Sequence, residues 1–291
     1  MKRYLYTFFL SIAASTLALP AQADLMIAPT RVVLENGTRS AELVIVNKSD
    51  EEAAFRISIE NRRMLEDGSM EKVETANPDE NFADGIIRYS PRRVIMDAGG
   101  RQTIRISART TGLEPGEYRS HLRLMSAPTS AGRTLQTAAS GQSDGISIQL
   151  IAIRSLTIPV IVRVGDLNAE VVIDDAMLKN VFPQTVEGEE GLTPSAEAVP
   201  ETHLEISLKR EGTESTYGNI EVYVSGEAEP VYFAKGIAVY TPNAARIVKL
   251  RIPPEITERL ANKQVRILYK SANANDPKTF AEYTADMKFG P

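Results

Sequence analysis

Between residues 146 and 164 the chain alternates apolar side chains with others for longer than anywhere else in the sequence. Even positions read Ile146, Ile148, Leu150, Ala152, Arg154, Leu156, Ile158, Val160, Val162 and Val164. Odd positions read Ser147, Gln149, Ile151, Ile153, Ser155, Thr157, Pro159, Ile161 and Arg163. Strand side chains alternate faces, so the run predicts one very long strand with a continuous apolar face. At about 3.3 Å per residue it would span roughly 60 Å, whereas an ordinary strand has about five or six residues. Its odd face turns from polar to apolar at Ile151, and Pro159 cannot donate to a ladder. Left bare at an edge, such a strand would aggregate. Either it lies at the centre of its own sheet or a partner covers it. The Ser-, Thr-, Ala- and Gly-rich loop at 126–145 delivers the chain into this strand, and a loop that long is usually functional or mobile.

The remaining pattern is one of short β segments with turn punctuation and no 3.6-residue period over a helical length. Strands are predicted at 25–34, 40–47, 54–61, 86–95, 102–108 and 117–125, with turn signals at Asn36-Gly37, Ala98-Gly99-Gly100 and Pro115-Gly116. Residues 64–84 are acidic and read as a loop. A second block opens near Gly165-Asp166, with a short strand at 170–173, a Pro-, Gly- and Glu-rich loop at 182–203, and strands at 204–209, 219–224, 232–240, 245–252, 264–269 and 280–287. Six or seven strands per half is a sandwich pattern. The expected organisation is all-β, with one sandwich over 24–164 and a second over 165–291.

Residues 1–23 stand apart. Lys2 and Arg3, an apolar run over Tyr4–Leu19 and the small residues of Ala21-Gln22-Ala23 describe a secretory signal peptide cleaved after Ala23. No later segment is apolar enough for stable membrane insertion. The 291-residue chain has a net charge of −5, more negative once Lys2 and Arg3 leave, which argues against nucleic acid. There is no cysteine, and His121 and His203 are the two histidines, so no metal site and no thiol chemistry are expected. Asp79, Glu80 and Asp84 read as a solvated loop face. No nucleophile-elbow, P-loop or zinc motif appears, no cofactor is implied, and an enzyme is not expected.

Three stretches carry a resemblance. Ile27-Ala28-Pro29-Thr30-Arg31-Val32-Val33-Leu34, the run from Pro91 to Arg105, and Glu117-Tyr118-Arg119-Ser120-His121-Leu122 together resemble the PapD-like periplasmic chaperones of pilus and fimbrial assembly. Ala98 replaces a proline of the second signature. The resemblance spans essentially the whole chain after Ala23 and implies two immunoglobulin-like sandwiches arranged as a boomerang. It further implies a periplasmic chaperone of the chaperone–usher pathway, in a long-loop or archaic-type branch. Its partners would be pilin or fimbrial subunits and an outer-membrane usher. In this reading Ile146, Ile148, Leu150 and Ala152 form the donor strand that completes a subunit's sandwich by β-strand addition. When no subunit is bound, the same strand would promote self-association. The rival reading is a two-domain sandwich that is itself a surface or pilus component.

The resemblance also implies a carboxylate anchor made of two basic residues in the interdomain cleft. Arg31 matches the first. The second is a lysine on the long strand in that family, and Pro159 stands at its place here. Arg154, on the donor face, is the first substitute and Arg163 the next.

Overall fold

The computed structural model describes residues 25–35, 37–127, 153–182 and 200–290. The first sandwich is built from β1 (Leu25–Ala28), β2 (Val32–Leu34), β3 (Ser40–Asn47), β4 (Ala53–Met64), β5 (Met70–Val73), β6 (Ile87–Ser90), β7 (Arg93–Met96), β8 (Arg101–Ala108), β9 (Gly116–Ala127) and β10 (Ser155–Val164). One sheet has the order β1-β3-β8-β6; the other runs β2-β10-β9-β4-β5, with β7 also on β4. Alternation sets which side chains meet between them. Leu43, Ile45, Ile104 and Ile106 of the first sheet pack on Leu122, Leu124, Ile158, Val160 and Val162 of the second.

Two segments expected as single strands are each divided at a proline, which has no N–H for a ladder. In 25–34 the break falls at Pro29: β1 pairs antiparallel with β3, and β2 then pairs parallel with β10 in the opposite sheet. In 86–95 it falls at Pro91, so β6 joins β8 while β7 joins β4. The segment 64–84, expected as a loop, contains β5, which folds back on β4. The long strand begins at Ser155 among the described residues, with residues 153 and 154 outside it. Residues 146–152 lie outside the described residues.

The second sandwich comprises β11 (Ala169–Val181), β12 (Glu201–Gly212), β13 (Thr216–Val224), β14 (Tyr232–Val239), β15 (Ala245–Ile252), α1 (Pro254–Leu260), β16 (Gln264–Ser271) and β17 (Thr279–Asp286). Its sheets are β11-β12-β15 and β14-β13-β16-β17. The strand expected at 170–173 runs on to Val181 because a bulge between Ile173 and Asp175 restores Ala176 and Leu178 to the buried face. The one described helix, α1, has seven residues, too few to reveal a period, and plugs the core with Leu260. Tyr269 is fully buried and donates its hydroxyl to the Ile237 carbonyl at 2.9 Å. Among the described residues no helix is long and apolar enough to cross a membrane.

A small third apolar cluster joins the sandwiches: Met64 and Ile161 from the first, Ala238 and Tyr240 from the second, with Val33, Met70 and Tyr217 around them. Beside it, the hairpin between β4 and β5 docks through its backbone. Ile247 N–H donates to the Glu66 carbonyl at 2.7 Å, and Asn243 Nδ2 donates to the Met64 carbonyl at 2.9 Å.

Candidate interdomain cleft and open strand edge

The neighbours of β10 change along its length. Against β9 it is paired antiparallel over all of Ser155–Val164. On its other side β2 pairs only Val160, Ile161 and Val162. Ser155–Pro159 therefore has a strand on one side alone among the described residues, and its second row of backbone groups is an open template. Exposure changes two residues earlier than the pairing does: Ile153 and Leu156 are 62% and 46% exposed, while Ile158, Val160 and Val162 lie in the core. The expected donor residues Ile146, Ile148, Leu150 and Ala152 fall outside the described residues.

Register also assembles the wall that faces the second sandwich. Odd positions of β10 point outward, so Pro159 lies opposite His121, Ile161 opposite Arg119, and Arg163 opposite Glu117. Val33 of β2 stands beside Ile161, and Arg31, two residues earlier, shares that face next to Pro159. The Arg31 guanidinium lies 4.6 Å from the ring centre of Tyr217 and 5.5 Å from that of Tyr240, both from the second sandwich. Arg119 packs on Tyr240 as well, at 4.3 Å. Its Nη2 donates to the Thr241 carbonyl at 3.2 Å. Burial, above all, holds the Arg119 guanidinium below its ordinary value, and Arg31 adds to this.

Arg31 and Arg163 both line a cleft of about 450 Å³ between the sandwiches, along with Glu214, Tyr217, Lys278 and Phe280. Their chemical situations differ. Arg163 is engaged on every side: Nε donates to Glu117 at 3.0 Å, Nη1 reaches Glu35 at 2.8 Å and Glu214 at 2.9 Å, and Nη2 donates to the Ser215 carbonyl at 3.1 Å. Burial would lower this guanidinium, but Glu117, Glu214 and Glu35 hold it above its ordinary value. Glu117, with a fully buried side chain, also accepts from Ser215 N–H at 3.1 Å, from the Ser215 hydroxyl, and from Thr241 Oγ1 at 3.2 Å. This is a clasp between the sandwiches. Breaking one side of such a buried pair costs about 3–5 kcal/mol.

Arg154 does not join Arg31. It is exposed just before β10, where Ser126 Oγ accepts its N–H at 2.8 Å. Five residues separate it from the Pro159 level, roughly 16 Å of extended chain. Glu80 is not the solvated loop residue expected. Its side chain is 4% exposed and chelates Arg63 at 2.5 and 2.7 Å, since Arg63 projects from β4 onto the loop and desolvates the pair. No group of His, Cys, Asp or Glu among the described residues could hold a metal ion. Glu117, Arg119, Tyr217 and Tyr240 were not candidates from sequence. The alternation Glu117, Arg119, His121 on one face of β9 was a signal that could have singled out the first two.

No family model matches the chain, and no curated protein matches it. Solved structures do resemble it. One is the CsuC–CsuE chaperone–tip adhesion subunit pre-assembly complex of archaic chaperone–usher Csu pili from Acinetobacter baumannii. It is 11% identical, with a TM-score of 0.44, covering 92% of this chain and 100% of that one. The E. coli chaperone DraB is 16% identical, with a TM-score of 0.41, covering 91% and 96%. The Pseudomonas aeruginosa CupB2 chaperone is 13% identical, with a TM-score of 0.41, covering 91% and 100%.

Proposed function

We propose that this protein is a periplasmic chaperone of pilus or fimbrial assembly. It binds subunits by lending them a strand and delivers them to an outer-membrane usher. The observation that carries the reading is the one-sided pairing of β10 over Ser155–Pro159 beside an arginine-lined cleft. β2 runs parallel to β10 and begins just past the open stretch. A guest strand added there in line with β2, and so also parallel to β10, would run from the Ser155 level to the Pro159 level. Its C-terminus would then meet Arg31 head-on. Backbone pairing supplies affinity with little demand on guest sequence, and a charge-assisted bond to the terminal carboxylate fixes the register.

Co-expression with an exported β-rich subunit tests this. The expected result is a one-to-one complex and loss of the subunit when the chaperone is withheld. Arg31→Ala should cut subunit recovery roughly ten- to hundredfold, the equivalent of a charge-assisted bond of about 1.5–3 kcal/mol. A subunit that accumulates folded without this protein would refute the reading.

A further inference from the structure

The clasp on Arg163 is only part of the joint between the sandwiches. It grips the second sandwich from β9 and β10, whereas the hairpin between β4 and β5 grips it from the far end of the same sheet, β2-β10-β9-β4-β5. One short segment meets both grips, the turn from Tyr240 to Ala244 between β14 and β15. Near its start Thr241 Oγ1 donates to Glu117 at 3.2 Å, and the Thr241 carbonyl accepts from Arg119 Nη2 at 3.2 Å. Two residues on, Asn243 Nδ2 donates to the Met64 carbonyl at 2.9 Å. Arg210, 4% exposed, holds the turn from within its own sandwich. Its Nε donates to the Asn243 carbonyl at 3.0 Å, and Nη1 to the carbonyls of Gly212 at 2.8 Å and Glu214 at 3.1 Å.

The hairpin's contact continues beyond the turn onto β15, the edge strand of its sheet. Ile247 N–H donates to the Glu66 carbonyl at 2.7 Å. Beside it, the Arg246 guanidinium lies against Gly68 at the hairpin tip and gives Nη1 to the Ala238 carbonyl of β14. Met64 and Met70, the cross-strand pair at the base of the hairpin, pack with Ile161, Ala238 and Tyr240 in the apolar cluster between the sandwiches. A domain held at one point can swivel about it, and relative motion is the default where the interface is small. Two separated grips with a packed apolar layer between them remove that freedom. The opening they fix is that of the cleft, because Tyr217 and Tyr240 of the second sandwich stand over Arg31 of the first.

We propose that the hairpin of residues 64–70 is a strut that sets the opening of the cleft before any guest arrives, with Asn243 as its positioning residue on the second sandwich. For its purpose the inference rests on the chaperone reading, and it goes beyond it. A guest that pairs along Ser155–Pro159 also has to fit beneath the second sandwich. A cleft fixed in advance spares the guest the ordering cost of closing two loose domains around itself.

The chain has no cysteine, so Ser107→Cys with Lys263→Cys, at exposed positions of the two sandwiches, takes two spin labels specifically. Double electron–electron resonance on the full chain then reads the distribution of distances between the sandwiches. Replacing residues 65–69 by Asn-Gly keeps the Met64–Met70 pair on a two-residue turn and removes the tip. Asn243→Ala removes the other polar grip and leaves the hairpin whole. The starting protein should give one narrow distribution, the tip replacement a broad one and Asn243→Ala an intermediate one, with circular dichroism showing both variants folded. Recovery of a co-expressed exported β-rich subunit should fall about tenfold when the tip is replaced. Unchanged distance distributions in both folded variants would overturn the strut. A broadened distribution with undiminished recovery would overturn its part in guest capture. If the starting protein captures no subunit, the chaperone reading fails, and the distances still decide the strut. Should the tip replacement not fold, Asn243→Ala decides alone.

Discussion

The two halves of β10 are one strand with two different environments. From Val160 to Val162 it has β2 on one side, β9 on the other and fully buried even positions. From Ser155 to Pro159 it keeps β9, loses β2, and leaves Leu156 46% exposed. One half is core with a strand on each side; the other, among the described residues, has a strand on one side alone and buries only Ile158. The division falls where β2 begins, and β2 begins there because the chain has just crossed from the other sheet past Pro29. A strand can therefore be held rigidly by its C-terminal half while its N-terminal half stays available, which is what a template for a guest strand requires.

The sharpest way to break this contrast is a charge in the core half. Val160→Asp would bury an unpaired carboxylate at a position with 0% exposure, and should cost more than about 4 kcal/mol and prevent folding of the first sandwich. Circular dichroism of the purified variant, or its failure to accumulate, measures this. A folded Val160→Asp would mean that the C-terminal half is not core.

The middle of the strand makes a pH prediction through His121, opposite Pro159. Burial first, and then Arg119 and Arg62, lower its imidazole from 6.5 to about 3. The unfolded chain binds this proton near 6.5 and the folded chain only near 3, so within that window the unfolded state holds more protons. Stability then rises with pH and is lost on acidification below 6.5. Between pH 6.5 and 5 the loss from this one group is roughly 2 kcal/mol. Urea unfolding across that range should show the slope, and His121→Asn should flatten it. A slope unchanged in the variant would place the proton uptake elsewhere.

The smallest effect on stability belongs to the open half. Leu156→Asp should change the unfolding free energy by less than about 0.5 kcal/mol, the usual range for surface positions. It should nonetheless abolish subunit capture, because the same side chain would meet a guest's apolar groove. Equal capture by variant and wild type would remove Leu156 from the template.

Sheets and cores were legible in the sequence wherever alternation was clean. Leu43 with Ile45, and Ile158 with Val160 and Val162, are period-two pairs whose buried face needs no further information. What could not be read is how one continuous pattern is shared between two sheets. Residues 25–34 look like one strand, and nothing local says that β1 and β2 take partners in opposite sheets. The cleft was half legible for a related reason. Arg31 and Arg163 were candidates, but their roles depend on which acids surround them, and Glu35, Glu117 and Glu214 converge on Arg163 from three distant segments. Arg119 was missed because its partner ring, Tyr240, arrives from another domain.

The hairpin between β4 and β5 meets the second sandwich through the apolar side chains of Met64 and Met70 at its base and through the carbonyls of Met64 and Glu66. Every amino acid has a carbonyl, so the side chains of the tip between Met64 and Met70 can drift over evolutionary time without loosening the joint. Gly68 is the exception. Its φ is +84°, and a methyl group there would lie 2.5 Å from the Arg246 guanidinium. A substitution survey of the tip should therefore find a tolerant stretch interrupted by one fixed glycine, with the angle between the sandwiches tied to the least informative residue in the loop.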